Sequence, residues 1–439
     1  MIQGKHFVVG GGIAGICSAL FLSKQGKSVV LIEQAENLGG LLRSVYPFGN
    51  NLHFDYGTHF LAQTGDPELD KILFHGLEVT KFDYLKVGSY YKSLYEKNGF
   101  VTDFHLQDRD NYFNEINLEP VSKAKSLRDQ LLNSYGKGYT NELFDPILKK
   151  FFGLESNMLQ LDAHHLFGLQ RIITSDEMTT NHLKEKHKVY DDLLAYHKYT
   201  QGISSIKSMY PVRGGAGQWI QQLSRQLEKN GVKILTGAKI NSIEKHGNKI
   251  NTIKIENRSY EVDQLYWTAP LVFILPYLNL DSSYQLPSIK RLTSYVAHFI
   301  IDKKYKTDLY YLQCFDPDFK TFRVTLYDNF SESCSQNSFR VTVESLIKEN
   351  DQIDESFNQI LFEELIRMKV IPSDSNILDQ TSLQIKNSFP ILSNRKMNHG
   401  EKINEKLTED FKNLHFYGKA YSEKWFMNDV IGEIYQKLQ

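Results

Sequence analysis

The stretch that most restricts what this chain can fold into is KHFVVGGGIAGICSALFLSKQGKSVVLIE, residues 5–33. A short apolar run, Phe7 to Val9, leads straight into three glycines. Ile13, Ile16, Cys17, Leu20 and Phe21 then recur at i, i+3, i+4, i+7 and i+8, which is one face of a helix. Gly26 stops that helix, and Val29–Ile32 forms a second apolar run. The spacing predicts strand, tight turn, helix and strand.

Gly10, Gly12 and Gly15, with Ala14 inside the turn, supply G-x-G-x-x-G at the strand-to-helix junction. The first glycine permits the turn, the second lets backbone approach a pyrophosphate, and the third lets helix pack on strand. A diphosphate then faces the unpaired N–H groups at the positive end of the helix. Glu33 ends the second strand, where a carboxylate binds ribose hydroxyls and repels a 2'-phosphate. A lone glycine motif is weak evidence. Here strand, helix, strand and acid follow in the order a dinucleotide site needs.

The continuation EQAENLGGLLRS (33–44) separates FAD from NAD. Gly39-Gly40 and then Arg43 add a second close backbone approach and a cation, for which a simple NAD dehydrogenase has no evident need. This pattern resembles the FAD-binding amine oxidase, protoporphyrinogen oxidase and phytoene desaturase superfamily, which includes UDP-galactopyranose mutase. The resemblance implies that the glycine pair runs along the FAD diphosphate and ribityl chain. It also implies that FDYGTHF (54–60) is a strand returning towards the flavin, with Gly57 passing close to the ring and His59 near ring or substrate. His59 keeps three readings: a buried structural histidine, a cofactor contact, or a proton-transfer group.

Two further segments fit the same pattern. In MYPVRGGAGQWIQQLSRQLEKNGVKILTGAKI, a turn at Arg213–Gly217 precedes a helix carrying Trp219, Ile220, Leu223 and Leu227, then a strand. The resemblance implies that backbone near Ala238–Ile240 holds the adenine. In LHFYGKAYSEKWFMNDVIGEIYQKL (414–438), a strand ends at Gly418 and a helix opens near Asn428-Asp429. By the resemblance, Gly418, Lys419, Asn428, Asp429 and Val430 close over the flavin, the helix N-terminus aimed at N1 and O2 of the ring. Trp425-Phe426 and Met427-Asn428-Asp429 look most like UDP-galactopyranose mutase. Lys419 departs from the pattern, since the oxidases usually carry Asp there and the mutases Arg.

The expected fold class is α/β, a Rossmann-like FAD-binding domain of the glutathione-reductase type assembled from residues 1–75, 205–275 and 385–439. Residues 76–204 read as a helical insertion. Residues 276–384 read as an antiparallel sheet facing the substrate, from runs such as SYVAHFII and FRVTLYD. Within these insertions Arg171, Arg213, Tyr310 and Tyr311 are candidate substrate contacts. For each of them a surface, ion-pair or core role is the alternative. His164 and His165 are adjacent and are expected to point to different sides of a helix, so no metal site is implied.

Composition sets outer bounds. The 439 residues carry 51 basic and 52 acidic side chains, a balance that gives no reason to expect nucleic acid as partner. The apolar run LVFILPYL is too short to span a bilayer, so no transmembrane segment is expected. Cys17, Cys314 and Cys334 are far apart, which suits a reducing, cytoplasmic setting. None stands in the C-terminal segment suited to flavin attachment, so FAD is expected to be non-covalent. The function expected is hydride transfer from a small-molecule substrate to flavin N5. The alternatives are a flavin-dependent nucleotide-sugar mutase without net redox change, and a non-catalytic flavin-binding protein.

Overall fold

The computed structural model describes residues 6–49, 52–98, 103–105, 112–118, 124–196, 206–284, 286, 290–332, 337–349, 351–393, 397–422, 424 and 426–439. At its centre lies a five-stranded parallel sheet. Its strand order is Lys233–Leu235, Val29–Ile32, His6–Val9, Gln264–Trp267 and Leu414–Phe416. The register sets Val8 beside Leu31 on one side and Tyr266 on the other. Leu265 pairs with Leu414 and Ile234 with Leu31. Segments more than 400 positions apart thus complete one sheet.

Both faces of this sheet are covered, which is why its strands are apolar without a polar alternation. Val8, Leu31 and Tyr266 face a helical layer that includes Ile16, Leu20, Trp219, Leu223 and Ile431. Phe7, Val30, Leu265 and Trp267 face the other way, onto Ile243, Ile253 and Tyr260. Those three belong to a small antiparallel sheet of Ile240–His246, Lys249–Ile255 and Arg258–Glu261. The helix Ile13–Lys24 is buried almost all round rather than on one face, from Gly15 to Ser23. It lies against both the helix Gly217–Lys229 and the helix Met427–Leu438, so two neighbours and the sheet share its surface.

A second, seven-stranded sheet runs Ile377–Pro390, Arg291–Ile301, Phe339–Ile347, Thr321–Leu326, Tyr311–Cys314, Val87–Tyr91 and Ser93–Asn98. All its neighbours are antiparallel except Tyr311–Cys314 and Val87–Tyr91, which pair in parallel. The helix Phe357–Arg367 covers one face through Phe357, Leu361 and Leu365. Leu292, Phe322 and Leu346 pack against a helical cluster built on Leu131, Tyr135, Phe144 and Phe151.

Residues 76–204 are therefore less helical than their pattern suggests. They open with the strands Val79–Phe82, Val87–Tyr91 and Ser93–Asn98, two of which extend the seven-stranded sheet. The run VGSYYKSLYE mixes aromatics with small polar residues, and edge pairing rather than amphipathic periodicity decides its conformation. The helical part, Leu127–Tyr139 and Asp145–Phe152, is broken where Gly136 takes φ +78°. Among the described residues no helix is long and apolar enough to cross a membrane.

Candidate functional site

The glycine turn is built as its spacing requires. Gly10 has φ +109°, and its N–H donates to the Ile32 carbonyl at 2.8 Å. A methyl group at Gly15 would come within 1.8 Å of the Gly10 carbonyl oxygen. At Gly12, the N-cap of the helix, a methyl group would meet nothing within 4 Å. The turn therefore leaves open space where the helix presents its unpaired N–H groups.

Glu33 closes one side of that space. Its Oε2 accepts from the Gly11 N–H at 2.5 Å and its Oε1 from the Ala35 N–H at 2.7 Å. The Gly39 N–H donates to the Gly11 carbonyl at 2.7 Å, and Gly40 lies against the Cα of Gly12. Both Gly39 and Gly40 have positive φ, so the second glycine pair folds back onto the first turn. Arg43 donates from Nε to the Gly40 carbonyl at 2.9 Å and lays its guanidinium over the Tyr56 ring. Ala238 donates its N–H to the Glu33 carbonyl at 3.0 Å. Two residues on, Ile240 begins the small sheet with its side chain in the core beside Val9 and Ile32.

The C-terminal segment joins the same place. Gly418, with φ +105°, passes so close to the first helix that a methyl group there would sit 3.0 Å from the Ala14 Cβ. Phe21 and Tyr435 pack edge to face, fixing the last helix along the first. Val430 is buried in the cluster that holds Ile16 and Leu61. Asn428 donates from Nδ2 to the Gln63 carbonyl at 3.4 Å. Burial raises the Asp429 carboxyl and lowers the Lys419 ammonium, whose Nζ is bonded to the Lys424 carbonyl. Trp425 lies outside the described residues.

The alternation in FDYGTHF places three residues in three environments. Asp55 is buried and accepts from the Tyr210 hydroxyl at 2.6 Å, the Ser44 hydroxyl at 2.5 Å and the Ala216 N–H at 3.0 Å. Burial pushes its carboxyl up to about 6 against these bonds. Gly57, with φ +118°, leaves no room for a side chain, because a methyl group would strike the Glu344 carboxylate at 2.5 Å. Glu344 takes a bidentate pair from Arg323, at 2.7 and 2.8 Å, and accepts from the Thr58 N–H at 3.0 Å. Burial acts to raise the Glu344 carboxyl, but the Arg323 guanidinium outweighs it and the group stays ionised.

His59 is half-buried beside this pair, its Nδ1 bonded to the Gly57 carbonyl at 3.2 Å. The carbonyl accepts, so Nδ1 carries the proton and Nε2 the lone pair. Burial first, and Arg323 second, lower the imidazole to about 4. His59 is therefore neutral near pH 7 and a weak base there.

The substrate candidates divide. Tyr310 and Tyr311 both pack against Phe60, with ring centroids 6.2 and 5.8 Å away, in an aromatic group that includes Phe82 and Phe330. Arg171 donates to the Asp191 carbonyl at 3.0 Å in the helical insertion. Arg213 is exposed and pairs with Glu332 at 3.5 Å. The two arginines serve different partners. A cavity of about 570 Å³ opens beside Gln63, lined also by Asp70, Lys71, Phe74, His75 and Met209.

Two features escaped the sequence reading. Arg323 and Glu344 each interrupt an apolar strand run, FRV and VTVES, and a charge in such a place is the signal that marks a buried pair. His164 and His165 do not diverge. They lie in a short 3-10 turn, Ala163–Phe167, with ring centroids 4.2 Å apart, because the turn is bounded by left-handed residues at Asp162 and Gly168 rather than continued as a helix.

Comparison with known proteins agrees with this geometry. A family profile described as an NAD(P)-binding Rossmann-like domain matches residues 8–74. The 4,4'-diaponeurosporene oxygenase of Staphylococcus haemolyticus (strain JCSC1435) is 23% identical over 361 residues, covering 75% of this chain and 68% of that protein. Among solved structures, reduced UDP-galactopyranose mutase superposes with a TM-score of 0.77 at 14% identity, covering 100% of this chain and 93% of the other. Cyclohexylamine oxidase from Brevibacterium oxydans IH-35A superposes with a TM-score of 0.60 at 14% identity, covering 99% of each. In sequence the chain is thus similar to that oxygenase and in fold to that mutase and that amine oxidase, and the family profile takes in the turn and glycine pair of Gly10–Arg43.

Proposed function

We propose that the protein is an FAD-dependent oxidoreductase that accepts hydride from an apolar small-molecule substrate and holds its FAD without a covalent bond. The observation that carries this reading is the meeting of remote segments at one turn: Gly40 against Gly12 and Gly418 against Ala14. The space left open at Gly12 fits a diphosphate at a helix N-terminus. Glu33 would take the ribose, and Gly39, Gly40 and Arg43 would follow the diphosphate. Backbone near Ile240 would meet the adenine, and Gly57, Lys419 and Asn428–Val430 would lie against the ring system. Bound flavin supplies a two-electron acceptor.

The chain's own residues do the rest. The N-terminus of Met427–Leu438 offers its positive end to negative charge. Phe60, Phe82, Tyr310 and Phe330 form an apolar wall suited to excluding water and orienting an apolar substrate. His59, neutral and fixed by Gly57, acts as a contact rather than as the general base. The buried free thiols of Cys17 and Cys314 suit a cytoplasmic setting.

Purified protein is expected to be yellow and to release flavin on acid denaturation. Colourless protein that takes up no added FAD overturns the proposal. Anaerobic bleaching by an apolar polyene such as diaponeurosporene supports the oxidoreductase. The structural likeness to the mutase, together with Met427-Asn428-Asp429, favours a second reading, a nucleotide-sugar mutase. Turnover of UDP-galactopyranose only after dithionite reduction would decide for it.

A further inference from the structure

Asp162, His164 and His165 form a cluster in the helical insertion, and their candidate ligand atoms all lie within 4.8 Å of one another. Neighbouring residues of a helical turn normally diverge, yet these two imidazoles meet at 4.2 Å and 53°. His164 is only 4% exposed, and its Nδ1 is buried with no hydrogen-bond partner in the structure. A buried ring nitrogen without a partner has lost its water and gained nothing.

The surroundings suit a cation ligand set. Asp162 takes a left-handed conformation at φ +60°, and Gln130 clasps it twice. Gln130 Nε2 donates to the Asp162 carboxylate at 2.6 Å, and the Asp162 N–H donates to Gln130 Oε1 at 2.9 Å. Such an outer hydrogen bond to a carboxylate is what orients a metal ligand.

We propose that Asp162, His164 and His165 bind one divalent transition-metal ion of the zinc class. Two imidazoles and one carboxylate are ligands of borderline softness and suit Zn²⁺ or Co²⁺ rather than Mg²⁺ or Ca²⁺. Tetrahedral bonds of about 2.0–2.2 Å place ligand atoms about 3.3 Å apart. The cluster must therefore tighten, and the exposed Asp162 and half-buried His165 have room to do so. The ion pins the turn 162–165 to the helix Leu127–Tyr139 through Gln130. It takes no part in the flavin chemistry, and the inference stands whether or not the proposed function does.

The test uses the full-length, tag-free protein with its cofactor complement, dialysed against a chelator and titrated with Co²⁺ and then Zn²⁺. One equivalent of Co²⁺ is expected to bind with d–d bands at longer wavelength than flavin absorption, and Zn²⁺ is expected to displace it and raise Tm. His165→Gln and Asp162→Asn, both at accessible positions, should abolish the bands while leaving flavin content unchanged. Gln130→Ala should weaken Co²⁺ binding about 10–100-fold. A wild-type protein that binds no Co²⁺, or variants with normal flavin content that bind it as wild type does, would overturn the assignment.

Discussion

The two large sheets of this protein are held together in different ways. The five-stranded parallel sheet is a matter of backbone: glycines at positive φ, N–H groups meeting carbonyls, and a turn in which a single methyl group at Gly15 would reach the Gly10 oxygen. The seven-stranded sheet is a matter of side chains. It carries charge into its interior, with Arg323 gripping Glu344, and with Arg340 buried against Asp328 at 3.5 Å and the Ser331 hydroxyl at 2.9 Å. The loop Gly57–His59 lies against the seven-stranded sheet, its glycine and its Thr58 N–H both meeting the Glu344 carboxylate. At Gly10 and Gly15 the parallel-sheet half has no room for added atoms. The other half tolerates almost no removed charges.

That contrast can be broken most severely at Arg323. Arg323→Leu leaves Glu344 buried without its cation and is expected to cost about 3–5 kcal/mol, read as a fall in urea midpoint. The complementary change is Gly12→Val. Nothing within 4 Å opposes the side chain, so the urea midpoint should move little, whereas bound flavin should fall tenfold or more. If Gly12→Val lowers the urea midpoint as far as Arg323→Leu does and leaves flavin content unchanged, the contrast fails. Asp55→Asn should be intermediate, at about 1–3 kcal/mol, since the buried Ser44, Tyr210 and Ala216 donors lose a charged acceptor.

The pH dependence sharpens the comparison further. His53, His59 and His298 are lowered by burial to about 3, 4 and 3, so between those values and 6.5 the unfolded chain binds protons that the folded chain refuses. Their contribution is complete above pH 6.5 and lost on acidification. Asp55 works in the opposite sense: raised to about 6, it is protonated in the folded state and opposes the loss between about pH 6 and 4. Asp55→Asn should therefore lose stability with falling pH more steeply than wild type, by up to about 1.4 kcal/mol per pH unit. A parallel pair of stability–pH curves would refute this. The smallest effect belongs to Tyr310→Phe, which keeps the ring against Phe60 and should change the urea midpoint by less than about 0.5 kcal/mol.

The same contrast explains what could be read in advance. Gly10, Gly12, Gly15 and Glu33 are legible because backbone constraints act over short spacings, and one residue type satisfies each. Gly418 and Asn428 are legible only through resemblance, since nothing local says that they return to Ala14 and Gln63. The Arg323–Glu344 grip on Thr58 joins residues 286 positions apart and has no spacing to betray it. The strand Val87–Tyr91 is hidden for another reason. Beside the adjacent Ser93–Asn98 it pairs with the sequence-distant Tyr311–Cys314, and in isolation its serine and tyrosines do not commit to a conformation. His164 and His165 mislead because helical geometry is the wrong premise for a turn bounded by left-handed residues.

Because Leu414–Phe416 is an outer strand of the parallel sheet and Gly418 rests on Ala14, the helix Ile13–Lys24 cannot be fully covered until a segment far along the chain has been made. On the ribosome, the unit carrying the glycine turn emerges with an apolar flank bare, and the helix Met427–Leu438 that shields Phe21 follows much later. A cleft shared by segments so far apart is complete only once both have been made, and the interval between them is when chaperones have most to do.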